Sequence, residues 1–290
     1  MATLRDIKRR IKGVQNTQQI TKAMKMVAAA KLRRAQEAVI NARPYARQIS
    51  LLLSHLVTEE YQVNNSYFLN REVKNIAIVV VTADRGLCGA FNSNLIKEVT
   101  HYLTEIEPGV NKHFFCLGRK GYEFFRNRDF NIAGSRSALF QSLKYEDALA
   151  VTQELIDKFL DGTFDKVVLV YNEFKSIIQQ KIVTEQFLPI PEPEGGENNH
   201  TKLPDFIFEP DQKTIFEYLL SKHLKAQLWR ILLESSAAEQ GARMTAMDNA
   251  TTNAKELIRS LNLTYNKERQ AAITKEILEI VTGSNALRGS

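Results

Sequence analysis

Cysteine is almost missing from this chain: Cys88 and Cys116 are the two present in 290 residues. That excludes a disulfide framework or a cysteine-rich metal site and fits a reducing compartment. Histidine is scarce as well. His55, His101, His113, His200 and His223 include no i, i+4 pair and no HExxH, so no metal site is expected. Long apolar runs are also lacking. The longest, IAIVVV at residues 76–81, is far short of the ~20 residues a membrane-spanning helix needs. Any membrane role must then pass through partners. The start, MATLRDIKRRIKG, has no apolar stretch like that of a secretory signal, and heptad periodicity from Leu4 argues against a transit peptide. Acidic residues are few at that end. Residues 1–47 hold twelve basic side chains against Asp6 and Glu37, a surplus of ten in a chain of net charge +6, so the rest sums to −4. A basic segment reads either as a solvated helix face or as a surface for nucleic acid, anionic lipid or an acidic protein loop.

Proline and glycine are absent from residues 243–281, where apolar residues recur at helical spacing. The chain begins with a similar rod. Stepping from Leu4 alternately by three and four reaches Leu56 in sixteen positions, of which thirteen are apolar and none needs a register shift. A strict seven-residue repeat of this kind is a coiled-coil seam. Thr3 is the expected N-cap, with Asp6 at the third helical position. Pro44 is expected to kink the helix without ending it, because the seam resumes beyond it. The three polar seam residues, Gln18, Thr21 and Lys25, are consecutive seam positions. They either set register or mark where the seam opens towards another protein. The second rod is expected to begin near Asp211 or Thr214. Ala237, Met244, Met247, Ala254, Ile258, Leu261, Tyr265 and Ala272 share one register, interrupted by Gln240, Thr251 and Glu268. Gly241, costly inside a helix, suggests that something approaches the backbone there.

Between the rods, VKNIAIVVV, KHFFCLG, DKVVLVYNEF and QKIVTEQFLPI read as strands, SNLIKEVTHYLTEI and KYEDALAVTQELIDKFLDG as helices, and RKGYEFFRNRD as a short helix or turn. That grammar argues an α/β domain with a partly parallel sheet. The expected fold class is therefore mixed α+β and α/β: a long antiparallel coiled coil of the N- and C-terminal helices (residues 1–60 and 211–290) with an inserted Rossmann-like α/β domain (residues 72–210). GxGxxG and GxxxxGK[ST] occur nowhere. The loop TADRGLCGAFNSN, with Gly86 and Gly89, reads mainly as a tight turn capped by Asn92 or Ser93. Asp84 and Arg85 are free to pair with each other or with a partner, and Cys88 is expected to be buried. No Ser–His–Asp set or paired-carboxylate motif can be assigned, and Glu276 and Glu279 read as a solvated or partner-facing edge. No catalytic site and no cofactor are expected.

VQNTQQITKAMKMVAAAKLRRAQ, TADRGLCGAFN and RQAAITKEILEIVTGSNAL, in that order, closely resemble the gamma subunit of F-type ATP synthases. The resemblance implies a rotor shaft set inside a hexamer of alpha and beta subunits. Its inserted domain would meet epsilon and the c-ring, and nucleotide chemistry would belong to beta. It implies a peripheral subunit on the cytoplasmic face of the bacterial plasma membrane that reaches the membrane through partners only. Residue by residue, Met24, with Lys25 beside it, matches a shaft position near an acidic loop of beta. Arg243, Gln270, Thr274 and Glu276 match positions of coupling and beta contact. Phe206, Phe208 and Glu209 match the segment touching epsilon and the ring, where tyrosines are expected. The chain also reads VTGSNAL where Gly-Ala is expected, and it lacks the inserted cysteine pair of plant chloroplast relatives. Two other readings compete. One is a basic coiled-coil nucleic-acid binder or scaffold, against which stands the lack of aromatics among the basic residues. The other is a phosphate-binding enzyme, which needs a ligand at the Gly86–Gly89 loop.

Overall fold

The computed structural model describes residues 3–56, 65–177, 179–191, 209 and 211–288. Two helices dominate: α1, Leu4–Leu56, and α5, Gln212–Arg288. Both start where side-chain caps satisfy the first free N–H groups. Thr3 Oγ1 accepts from Asp6 N at 3.3 Å while Asp6 Oδ2 accepts from Thr3 N at 3.2 Å. Asp211 Oδ1 accepts from Thr214 N at 2.9 Å. α1 runs through Pro44 without ending. The chain divides into two compact units, one of Met1–Val27 with Met244–Ser290 and one of Ala28–Arg243.

In the first unit the two helices pair. Thr21 and Thr251 share a hydrogen bond of 2.8 Å between their hydroxyls, and Lys25 Nζ lies 2.6 Å from Asp248 Oδ1. Moving up α1 means moving down α5, so the helices are antiparallel.

The second unit contains a five-stranded sheet. Its strands are β1 (Asn75–Val81), β2 (Asn111–Leu117), β3 (Ile132–Arg136), β4 (Lys166–Phe174) and β5 (Gln180–Leu188), in the order β3-β2-β1-β4-β5. The first four are parallel and β5 runs antiparallel to β4. Alternate residues of β1 serve opposite faces, as the period of two requires. Ile76, Ile78 and Val80 pack under α2 (Phe91–Glu105) and α3 (Arg119–Arg126). Ala77, Val79 and Val81 pack under α4 (Tyr145–Leu160) and under Leu224, Leu228, Ile231 and Leu232 of α5. α5 is thus part of the sheet's core. In the same unit, Ile49, Leu53 and Leu56 of α1 meet Phe216 and Leu220 of α5.

Two features of the unit depart from the sequence reading. β3, IAGSR, carries a glycine and no strand signal. Gly134 is needed there because a Cβ would lie 2.3 Å from a ring carbon of Phe115. α2 begins at Phe91 after Ala90, which makes no side-chain cap bond. Neither Asn92 nor Ser93 is therefore the cap: Asn92 Oδ1 instead accepts from Ala83 N at 2.9 Å, and Ser93 Oγ donates to the Ala90 carbonyl at 3.1 Å.

Candidate interaction surfaces

The winding of the sheet reverses between β1 and β4, and the crevice beyond their carboxyl ends is where such sheets take ligands. Here the chain's own helix fills it. Ala83, Cys88 and Phe91 cluster with Ala238 of α5, and Phe174 and Ala242 pack against them. The close approach anticipated at Gly241 is the turn after β4, since a Cβ on Gly241 would sit 3.4 Å from the Ile177 carbonyl and 3.6 Å from the Phe174 ring. The Arg243 guanidinium then donates to the carbonyls of Gly86 and Arg85 and pairs with Glu239 one turn back. Burial pushes the Glu239 carboxyl above its ordinary value, against the opposing pull of Arg243.

Asp84 does not pair with Arg85. Its carboxylate accepts from the backbone N–H groups of Arg119, Ala138 and Phe140 at 2.8–3.1 Å. The Cys88 thiol is buried and pushed up by that burial, so it is a poor nucleophile. The Gly86–Gly89 loop is therefore a socket for a helix. Among the described residues, no group of His, Cys, Asp or Glu could hold a metal ion, and no helix is long and apolar enough to cross a membrane.

In α1 all sixteen seam positions from Leu4 to Leu56 are buried or partly buried. This includes the polar three. Thr21 is 8% exposed and bonds Thr251, itself a seam interruption of the second rod, and Lys25 is held by Asp248. At Thr21 and Lys25 the polar gap is therefore bridged by the chain's own second helix, in line with the register-setting reading, while the Lys25 side chain stays 38% exposed. Met24, partly buried, sits beside this layer. Gln270, Thr274 and Glu276 are all exposed on α5. They lie more than twenty residues beyond Asp248, about 30 Å along a helix, so Met24 and Glu276 are not neighbours within the chain. Thr274 Oγ1 donates to the Gln270 carbonyl at 3.0 Å. Glu209 is exposed, and Phe206 and Phe208 lie outside the described residues.

Two exposed surfaces remain. Of the twelve basic residues in 1–47, all but Lys25 are exposed. The other is a set of exposed apolar side chains in two places about 30 Å apart along the helix pair. On α1 it includes Ile20, Met26 and Val27, each 58–61% exposed. On α5, Ile273, Ile277, Leu278, Ile280 and Val281 are 48–71% exposed. The pairing at Thr21 and Thr251 places the start of α1 opposite residues near 268. Beyond Ala272 no described residue of α1 lies alongside, and residues 273–284 are all exposed. Such an apolar surface marks a protein contact. Its signal in the sequence was the set of apolar residues off the seam.

Comparison with known proteins places the chain. The family model described as ATP synthase matches residues 3–287. The ATP synthase gamma chain of Chlorobaculum tepidum is 50% identical, with 99% of this chain and 100% of that one covered. That of Prosthecochloris aestuarii is 49% identical with both chains fully covered. A chain of the Tetrahymena thermophila mitochondrial ATP synthase central stalk and c-ring structure is 26% identical with a TM-score of 0.62, covering 80% of this chain and 99% of that one. A chain of the Euglena gracilis mitochondrial ATP synthase OSCP/F1/c-ring structure shares the fold at 21% identity, with a TM-score of 0.68 over 98% of this chain and 94% of that one.

Proposed function

This chain belongs to the ATP synthase family as a gamma chain, and on that premise we propose that it is the central-stalk shaft through which rotation of the c-ring drives the catalytic beta subunits. Its partners are the alpha and beta subunits, epsilon and the c-ring, and it is a non-catalytic stalk subunit of the complex. The observation that carries the reading is the C-terminal stretch of α5. Among the described residues no helix lies alongside residues 273–284, which carry five large exposed apolar side chains. That arrangement suits an end held in an apolar sleeve formed by other subunits.

We place the contacts with alpha and beta at Met24, Lys25, Arg243, Gln270, Thr274 and Glu276, and those with epsilon and the ring at Phe206, Phe208 and Glu209. Residues 1–60 and 211–290 then serve as the shaft and 72–210 as its foot, at the cytoplasmic face of a bacterial plasma membrane. The exposed basic face supports an acidic partner. Solvated ion pairs contribute only ~0–1 kcal/mol each and exchange readily, which suits a surface that must turn past its neighbours. No nucleotide site is needed on this chain, in keeping with a switch-point crevice filled by α5.

Affinity purification of the tagged chain from detergent-solubilised membranes tests the proposal. A multisubunit ATPase containing alpha, beta, epsilon and c subunits is expected. Recovery of a lone soluble chain, or of a nucleic-acid complex, would overturn it.

A further inference from the structure

Torque delivered to the inserted domain must reach two helices, and the apolar interface alone is poorly suited to carry it. Leu224, Leu228, Ile231 and Leu232 bury themselves in the sheet's core, but apolar burial is non-directional. Beside that interface lies a cluster of ion pairs and hydrogen bonds, which are directional. Glu185 on β5 accepts from Gln227 Nε2 at 2.6 Å and from the Tyr171 hydroxyl at 2.9 Å. Arg230 of α5 lies 3.6 Å from Glu185 and 3.4 Å from Glu234, whose side chain is 2% exposed. Arg43 of α1 reaches the second oxygen of Glu234 at 3.4 Å. One chain of contacts thus runs from the sheet edge through α5 to α1, along the wall of an open cavity of about 1030 Å³. These residues belong to one compact unit.

We infer that Arg230 is a positioning residue for energy coupling. Together with the Gln227–Glu185 bond it keys α5 to strand β5, and through Glu234 and Arg43 it adds α1, so that the inserted domain and both shaft helices turn together. The inference rests on the shaft reading above. Arg230 serves because its planar fork can face two carboxylates at once, which the point charge of lysine does less well.

The test uses the whole complex reconstituted in liposomes, carrying the wild-type chain, Arg230→Met or Arg230→Lys. ATP hydrolysis and ATP-driven proton pumping are measured on the same vesicles. Arg230→Met leaves Glu234 paired with Arg43 and Glu185 bonded to Gln227 and Tyr171, so assembly is expected. The ratio of pumping to hydrolysis should fall roughly twofold or more, as for other residues within coupled networks, with Arg230→Lys recovering part of the loss. A merely structural role would lower assembly yield and leave the ratio unchanged in the complexes that form. An unchanged ratio in Arg230→Met overturns the inference. If that variant does not assemble, Glu185→Gln, which keeps the Arg230–Glu234 pair, decides by the same ratio. Failure of the wild-type chain to support any pumping would instead overturn the shaft reading.

Discussion

Replacing Gly241 tests how closely α5 is seated in the switch-point crevice. Gly241→Ala gains helix propensity of about 1 kcal/mol, because alanine loses less backbone entropy in a helix interior. The new methyl meets the Ile177 carbonyl at 3.4 Å, the Phe174 ring at 3.6 Å and Ile177 Cα at 3.7 Å, all ordinary contact distances. Little of the gain should be lost. The net stabilisation is roughly 0.5–1 kcal/mol, or about 1–4 °C in Tm for a unit of this size. Gly241→Leu takes nearly the same propensity gain but sends further carbons into the space held by the Phe174 ring and the 174–177 turn. Overpacking of that kind costs about 1–3 kcal/mol, so the sign reverses and Tm falls by a few degrees. It would also push the neighbouring Arg243 away from the carbonyls of Gly86 and Arg85. Thermal unfolding of the full-length variants by far-UV circular dichroism reads both signs. If Gly241→Ala lowered Tm, or Gly241→Leu left it unchanged, α5 would not be seated against that turn.

Thr21→Cys with Thr251→Cys should form a disulfide under mild oxidation, since the two hydroxyls are 2.8 Å apart; the cross-linked complex should keep turning over ATP because both helices move together, and a failure to cross-link would refute the pairing register. Neutralising Lys8, Arg9, Arg10, Lys31, Arg33 and Arg34 in small groups should change stability by no more than ~0.5 kcal/mol per site while reducing ATP turnover of the assembled complex; normal activity at both low and high salt would sink the acidic-partner idea. Met24→Lys should assemble normally but slow turnover and steepen its temperature dependence, and unchanged kinetics would remove Met24 from the contact surface with beta. Burial holds the His223 pKa below its ordinary 6.5, with Glu185 opposing and Arg230 adding to the shift. The unfolded chain therefore binds the extra proton first, and stability should decline as pH falls through 6.5, by at most about 1.4 kcal/mol per pH unit. Urea melts of wild type and His223→Gln at pH 7.5 and 5.5 check this, and an equal pH dependence in both would assign it elsewhere.

Periodicity alone specified both long helices. The sixteen heptad positions of α1 are each buried or partly buried, because a strict heptad leaves a helix one apolar stripe to hide. The cap at Thr3, the start of α5 near Asp211 and four of the five strands were equally legible, since capping and β-branched runs act over a few residues. β3 was not legible, because its Gly134 answers to the Phe115 ring, a residue on another strand. Whether Gln18, Thr21 and Lys25 open or close the seam was likewise undecidable from α1 alone. The answer lies in Thr251 and Asp248, more than two hundred residues away. The same holds for the crevice beside β1, for the Arg230 cluster, and for the exposed end of α5. Each depends on which side chain the fold brings opposite, and a sequence pattern records the face of one element without naming what will cover it.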